Sequence, residues 1–575
     1  MTIAMSPAPR LLLVHPPVVR PCEPPAGLAR LAGTLRAAGR QVEVWDANLE
    51  ALLALLQAPS LATDTWTRRA GRDRDHHLAA LRDGRLFAHP DTYRRAIGDL
   101  ERWLARLPCA TAPFPDGGWH LSLTDCTHDQ WEPTSSHDLQ RLAADPLAHP
   151  AVAVLQPALR NRLLEREITH LGLSVNYLSQ ALAAAALAGL ARQLRPDLRI
   201  ILGGGLITSW LARGTRPPAG LAALADHLLT GPGEAGLLAL LAAPPAPASV
   251  PLASASQPPR PDVAQPRPAP TSADGLPQAA RPAPPEPSPP APAPVDDPTT
   301  WAYDFSDFPL DQYLSPGLVL PFSLAHGCFY ARCAFCPETF ERQRYRPLPT
   351  ALVGERLAAL VNRYRPRLLH FLDDAIHPAV LQELAAHPPG VPWYGFARFA
   401  PPLDDPDFCR LLARAGCRML QLGLESGDQA VLDELRKGLR LATAARILAH
   451  LHAAGIGTYV YLLFGTPAED EEAARRTRDF VAAHAERISF LNVAIFNLPR
   501  QAPEAATLPT RPYTAGDLGL YLEFAHPRGW NRPQVRRFLE REFRRHPAIA
   551  PILRRDPPAF TSSHAPFFLV PPPRR

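Results

Sequence analysis

Between residues 243 and 300 the sequence turns almost entirely to Pro, Ala and Ser, as in the run PAPPEPSPPAPAP at 282–294. Proline fixes φ and has no backbone N–H, so such a stretch builds neither a helix interior nor a strand ladder. It is expected to be an extended, disordered linker. It divides the 575-residue chain into an N-terminal half and a C-terminal half. Hydrophobic residues make up 46% of the sequence and charged residues 20%, so each half can bury a core of its own.

The N-terminal half, residues 1–242, alternates strand and helix. Residues 11–15 (LLLVH) form a short apolar run, as a buried strand does. The spacing of Leu28, Leu31 and Leu35 predicts a helix over 26–38, stopped by Gly39. Residues 41–45 (QVEVW) alternate as a strand and end at Asp46. An insertion at about 50–165 reads as helical pieces and polar loops, with Trp103, Cys109, Trp119, Cys126 and Trp131 assigned to its core. The alternation then resumes with a strand at 169–175, a helix at 181–194, and a strand at 199–202 ending in Gly203-Gly204-Gly205. A last strand at 227–229 precedes Gly231-Pro232-Gly233-Glu234. The pattern predicts an α/β domain with a doubly wound parallel sheet, whose ligand sits beyond the carboxyl ends of the strands.

The C-terminal half repeats the pattern. Strands are expected at 321–325, 368–372, 393–397, 419–423, 458–464 and 490–495, with helices at 350–364, 378–387, 405–415, 441–454 and 469–485. Six such units over 301–500 predict a partial (β/α)6 barrel resembling a TIM barrel, with its site at the carboxyl ends of the strands. Residues 501–575 read as a helical extension. Its Arg-rich stretch 534–545 is expected to be a solvated helix.

Net charge is only +5, and a single lysine, Lys437, stands among 60 basic residues. The arginines are dispersed among acids rather than gathered in a stripe, which argues against a nucleic-acid partner. No stretch reaches the ~20 apolar residues of a membrane span, and the short apolar start lacks the features of a signal peptide. A cytoplasmic location is expected. The eight cysteines agree, because three cluster and five scatter, which favours a metal site over a disulfide framework.

The cluster reads Gly327-Cys328-Phe329-Tyr330-Ala331-Arg332-Cys333-Ala334-Phe335-Cys336-Pro337, a C-x4-C-x2-C spacing directly after the first barrel strand. Three thiolates on one short loop suit three corners of an iron–sulfur cubane with one iron left open. Spacing alone also admits zinc, with His326 as a fourth ligand.

This segment resembles the radical S-adenosylmethionine superfamily. The family's usual spacing is C-x3-C-x2-C with an aromatic before the third cysteine. Phe335 matches the aromatic, and the first gap is one residue longer here. The resemblance implies a 4Fe–4S cluster on Cys328, Cys333 and Cys336, with S-adenosylmethionine on the open iron. Reductive cleavage of the cosubstrate would yield a 5′-deoxyadenosyl radical, the electron coming from a flavodoxin or ferredoxin. By position it implies cosubstrate contacts at Phe335, at Asp373 after the second strand (helix capping being the plainer reading of Asp373 and Asp374), and at Arg398 after the third. Gly423, Glu425 and Ser426, in a Gly-Leu-Glu-Ser-Gly element after the fourth strand, complete the set. The Gly-Thr-Pro turn at 465–467 and Asn492 and Asn497 are weaker matches. No catalytic residue is assigned.

An α/β domain ahead of such a barrel resembles the cobalamin-binding subclass of the same superfamily. The likeness rests on Val14-His15-Pro16-Pro17, residues 23–28 (EPPAGL), Leu173-Ser174-Val175-Asn176-Tyr177, Gly203-Gly204-Gly205 and Gly231-Pro232-Gly233-Glu234. It implies that Ser174, Gly203, Gly204 and Gly205 accommodate the nucleotide tail of cobalamin. The Asp-x-His-x-x-Gly cobalt-ligand motif is absent, so no axial histidine is named. The reaction implied is modification of an unactivated carbon of a small molecule or peptide, by methyl transfer or by rearrangement or cyclisation. A radical enzyme without cobalamin and a non-enzymatic zinc or iron–sulfur module are the alternatives that stay open.

Overall fold

In the N-terminal half, five strands line up as one parallel sheet. The computed structural model describes residues 9–60, 64–108, 118–212, 215–242, 297–341, 344–559 and 564–569. Strands β1 (Arg10–Val14), β2 (Gln41–Trp45), β5 (His170–Ser174), β6 (Arg199–Gly203) and β7 (His227–Leu228) pair in the order β2-β1-β5-β6-β7, every pair parallel. The strands are apolar on both faces because both are covered. Leu11, Leu13 and Ile201 pack toward one core, and Leu12, Val14, Leu171, Leu173, Ile200 and Leu202 toward another. Gly39, at φ +74, ends the helix Ala26–Ala37 as expected.

The insertion holds helices Thr65–Arg82, Pro90–Leu104, Ser136–Ala144 and Pro150–Glu165. It also holds a hairpin that the sequence reading did not contain, β3 (Trp119–Leu121) against β4 (Cys126–His128). Three-residue strands fall below the length at which alternation is a readable signal. Trp119 and Cys126 are buried there, whereas Cys109 lies outside the described residues.

In the C-terminal half, six parallel strands run in sequence order: β8 (Val319–Phe322), β11 (Leu368–Phe371), β12 (Trp393–Ala397), β13 (Cys417–Glu425), β14 (Gly457–Phe464) and β15 (Phe490–Ile495). The outer strands β8 and β15 do not pair with each other, so the barrel is partial. The first strand ends earlier than expected. Ala325–His326 instead forms a short strand, β9, against β10 (Arg346–Pro347), which frames the cysteine loop. The last three strands, β16 (Leu498–Pro499), β17 (Thr510–Pro512) and β18 (Tyr521–Phe524), make an antiparallel sheet. The segment read as a helical extension therefore begins with this sheet, and its helix Arg532–Phe538 follows. Leu498, Leu522 and Phe524 pack with Phe335, so the sheet covers the barrel mouth.

Most of the expected linker, 243–296, lies outside the described residues. Its last residues, Pro298–Thr300, form a single 3-10 turn. The segment after it crosses the N-terminal helix closely enough that a Cβ on Gly33 would stand 2.3 Å from the Ala302 carbonyl oxygen. Arg36 pairs with Asp304 and Asp307, the Tyr313 hydroxyl donates to Asp46, and Glu23 meets His370 at 2.9 Å. Apolar side chains of both halves join in one core, which includes Leu13, Phe305, Leu320, Leu369, Leu420 and Val460.

Candidate functional site

The carboxyl ends of the two parallel sheets open on either side of the cysteine loop. At the N-terminal sheet they bound a cavity of about 470 Å³ lined by Gly27, Ser174, Asn176, Thr208 and the glycines Gly203, Gly204, Gly205 and Gly231. Gly204 has φ +104, and a Cβ there would lie 2.4 Å from the Val175 carbonyl oxygen, so only glycine fits. On Gly203 and Gly205 the nearest atoms to a Cβ are 3.6 and 3.7 Å away, so their bareness serves the cavity rather than the chain. Ser174 Oγ accepts from Asn176 Nδ2 at 3.1 Å, and Asn176 Oδ1 accepts from Gly205 N at 2.9 Å, which fixes the turn. On the far side the cavity is lined by His326, Glu338 and Glu341, which flank the cysteine loop. Ser209 donates to Glu341 at 3.0 Å across that boundary.

Cys328, Cys333 and Cys336 sit on the loop between β9 and the short helix Pro337–Glu341; Cys333 is buried and the others are half-buried. Burial pushes the Cys336 thiol up to about 12. Among the described residues no three His, Cys, Asp or Glu side chains gather around a single-ion point. Among the described residues, Cys409 and Cys417 do not complete a four-thiol set. Cys409 is buried and donates to the Leu403 carbonyl at 3.3 Å, and Cys417 starts β13 inside the core. The donor set that remains is three thiols on one loop, which fits a cubane with an open corner.

Around the loop the residues expected from the sequence divide into two groups. Arg398 reaches it: one guanidinium nitrogen lies 3.9 Å from Cys333 Sγ, another donates to the Lys437 carbonyl, and the group stacks 3.6 Å over the Tyr330 ring. Glu425 stands at φ +66 just past an irregularity in the β13–β14 register, and it accepts from Lys437 Nζ at 2.8 Å. Gly423 leaves room for that pair, since its Cβ would lie 2.4 Å from Glu425 Oε1 and 2.8 Å from Lys437 Nζ. Phe335 packs between two apolar groups, one from the tail sheet and one containing Val431 and Ala468, with Lys437 Nζ 5.6 Å from its centre.

The second group turns away. Ser426 is fully buried; its hydroxyl bonds Thr477 Oγ1 at 3.1 Å and accepts from Asp428 N, so it builds the turn. Asp373 is also buried and accepts from Leu324 N at 3.0 Å, tying β11 to the approach of the cysteine loop. Burial raises its carboxyl to about 7. Neither Asp373 nor Asp374 caps a helix; His377 does so for Pro378–Ala386.

Lys437 was missed as a site residue. The signal in the sequence was that one lysine survives in a chain that otherwise uses arginine; in the structure it is buried, paired with Glu425 and 5.6 Å from the Phe335 ring. A compact ammonium fits where a guanidinium fork would not.

The family model described as "Radical SAM superfamily" matches residues 322–481. A bacteriochlorophyllide d C-12(1)-methyltransferase of Chlorobaculum tepidum is 28% identical over 182 residues, 30% of this chain and 39% of that protein. A cytidylyl-2-hydroxyethylphosphonate methyltransferase of Streptomyces wedmorensis is 27% identical over 180 residues, 30% of this chain and 34% of that protein. The match thus spans well under half the length of either curated relative. Among solved structures, the radical S-adenosylmethionine methyltransferase TsrM of Kitasatospora setae, bound to tryptophan and a SAM analogue, aligns at 18% identity. The alignment has a TM-score of 0.49 and covers 88% of this chain and 79% of that one. The cobalamin-dependent enzyme OxsB aligns at 14% identity and a TM-score of 0.47, covering 83% and 52%. The residues matched by that family model, 322–481, take in the thiol loop and strands β11 to β14.

Proposed function

We propose that this chain is a cobalamin-dependent radical S-adenosylmethionine enzyme that modifies an unactivated carbon, by methyl transfer, on a small molecule. The observation that carries the reading is the shared cavity: residues flanking the thiol loop, His326 and Glu338, line the same space as the glycines of the N-terminal sheet. That space joins the two carboxyl ends, where parallel α/β sheets bind ligands. The names of both curated relatives, each a methyltransferase, support methyl transfer as the reaction.

In this reading Cys328, Cys333 and Cys336 hold a 4Fe–4S cluster, and Ser174 and Gly203 to Gly205 cradle the nucleotide tail of cobalamin. Bound there, the two groups supply one-electron cleavage of S-adenosylmethionine and a transferable methyl group. The chain's own residues bind and orient. Arg398 is fixed by Tyr330 and the Lys437 carbonyl, and its cation stands beside Cys333 to face an anionic group at the loop. Glu425 offers its second carboxylate oxygen to a hydroxyl or ammonium donor while Lys437 holds the first. Phe335 and the sheet β16–β18 close the mouth against water. The electron would come from a flavodoxin or ferredoxin, in the cytoplasm. Among the described residues no helix is long and apolar enough to cross a membrane.

The test is anaerobic reconstitution with iron and sulfide in the presence of cobalamin, followed by dithionite and S-adenosylmethionine. Native protein should release 5′-deoxyadenosine and retain cobalt after gel filtration. A variant with all three cysteines changed to Ala should load no iron and release none. Iron loading and cleavage without retained cobalt would leave the radical reaction and remove cobalamin. Zinc in place of iron would sink both.

A further inference from the structure

A second concave site lies outside the cavity just described. The helix Arg532–Phe538 crosses the carboxyl ends of β14 and β15 and leaves a pocket of about 300 Å³ against β17 and β18. Gly465 and Ile495 line it, and its polar lining includes Asn497, Arg511, Glu523, His526, Arg532 and Arg536.

The charges there do not cancel. Arg511 pairs with Glu523, the acidic residue of the lining. Arg532 and Arg536 have no acidic partner among the described residues. Arg532 is nevertheless held in place: its guanidinium donates to Asn497 Oδ1 at 2.7 Å, approaches the Phe496 carbonyl at 3.4 Å, and lies 5.4 Å over the Tyr513 ring. Its Nε is buried without a hydrogen-bond partner. A guanidinium fixed by neutral groups keeps its full charge and has lost its side-chain freedom before any ligand arrives, and this is the arrangement that favours a planar or tetrahedral oxyanion. A solvated arginine on an exposed helix would have neither the clamp nor the concavity. His526 is not a further cation here; burial lowers its pKa, and its ring meets the Thr466 carbonyl at 2.8 Å.

We propose that this pocket binds the anionic end, carboxylate or phosphate, of a small molecule, with Arg532 and Arg536 as its charge partners. One layer of side chains, Phe496, Leu522 and Phe524 with Phe335, separates it from the thiol loop. A molecule anchored there stands at the same end of the barrel as the chemistry. That last link rests on the proposed function, whereas the binding itself does not.

The test is isothermal titration of the full chain at physiological ionic strength, with inorganic phosphate in one arm and acetate in the other. Saturable binding is expected with a Kd of roughly a millimolar or tighter. Arg532→Gln and the exposed Arg536→Gln should each weaken it about tenfold. Arg536 supports no buried contact, so its variant folds even if Arg532→Gln does not. Tighter binding of phosphate assigns a phosphate ligand, and tighter binding of acetate a carboxylate. No saturable binding of either anion, or binding that both substitutions leave unchanged, overturns the proposal. The readout needs no cluster, so failure of the radical chemistry would leave it intact.

Discussion

At the carboxyl ends of β5 and β6 the chain presents Ser174 and three successive glycines; at those of β8, β12 and β13 it presents thiols, Arg398 and the Glu425–Lys437 pair. Both are parallel sheets, and both place their open groups on the same edge. In the proposed reading the first site works by absence, because side chains are missing where cobalamin would need room. The second works by presence, because buried charges are fixed in pairs around soft donors. A site of the first kind is broken by adding atoms, and one of the second kind by removing a partner.

The largest expected effect sharpens the first half of that contrast. Gly204→Val forces a Cβ into the Val175 carbonyl at a positive φ, and it should destabilise the domain by on the order of 3 kcal/mol. Gly203→Val meets only ordinary contact, at 3.6 Å from Leu229. It should change stability by under about 1 kcal/mol while cobalamin retention after gel filtration falls. Urea unfolding and cobalt content read the two effects separately. If Gly203→Val retained cobalt fully, the glycine edge would be a folding device and not a binding surface.

The second half of the contrast is tested at Lys437. Its side chain and that of Glu425 are 10% and 12% exposed, so Lys437→Met strands a buried carboxylate. A loss of about 3 kcal/mol is expected. Adding Glu425→Gln should recover much of it, because the stranded charge is then gone. Equal stability of single and double variants would mean that the pair is not coupled.

A smaller effect concerns Glu469, fully buried below the barrel mouth. It accepts from Gly465 N and Trp530 Nε1, and burial raises its carboxyl to about 8. A carboxyl with a raised folded-state pKa stabilises the fold while it is protonated. That contribution is present below about 4.5 and is lost as pH rises toward about 8. The melting temperature of native protein should fall from pH 5 to pH 8.5, and Glu469→Gln should flatten that slope. A parallel slope in the variant would place the titration elsewhere.

Much of this was legible beforehand. The strand at 393–397, the helix at 350–364 and the strand at 41–45 have the same bounds in the sequence and in the structure, since apolar runs between strong stops leave little choice. The three cysteines stand on a loop after the first barrel strand, as their spacing required. Ser426 shows the limit. Its neighbourhood in sequence matches a cofactor element, yet its hydroxyl faces Thr477, about fifty positions away along the chain. Which side of a turn faces a ligand depends on the element packed behind it, and that element was not local. The tail sheet β16–β18 escaped for a related reason: strands of two to four residues acquire their pairing from partners, not from pattern.

By itself the sequence determined that there are two α/β halves, that a Pro-rich segment separates them along the chain, and that three thiols share one loop. These follow from periodicity, proline's missing donor and cysteine spacing, all of which act within a few residues. Tertiary structure alone decided that His326 and Glu338 face Gly203 to Gly205 across one cavity, that Lys437 neutralises Glu425, and that Arg532 is clamped by Asn497. Each of these depends on groups brought together by burial of a shared core, and the hydrophobic effect that buries them carries no direction. Which side chains meet is set by the packing of whole elements rather than by any stretch of sequence.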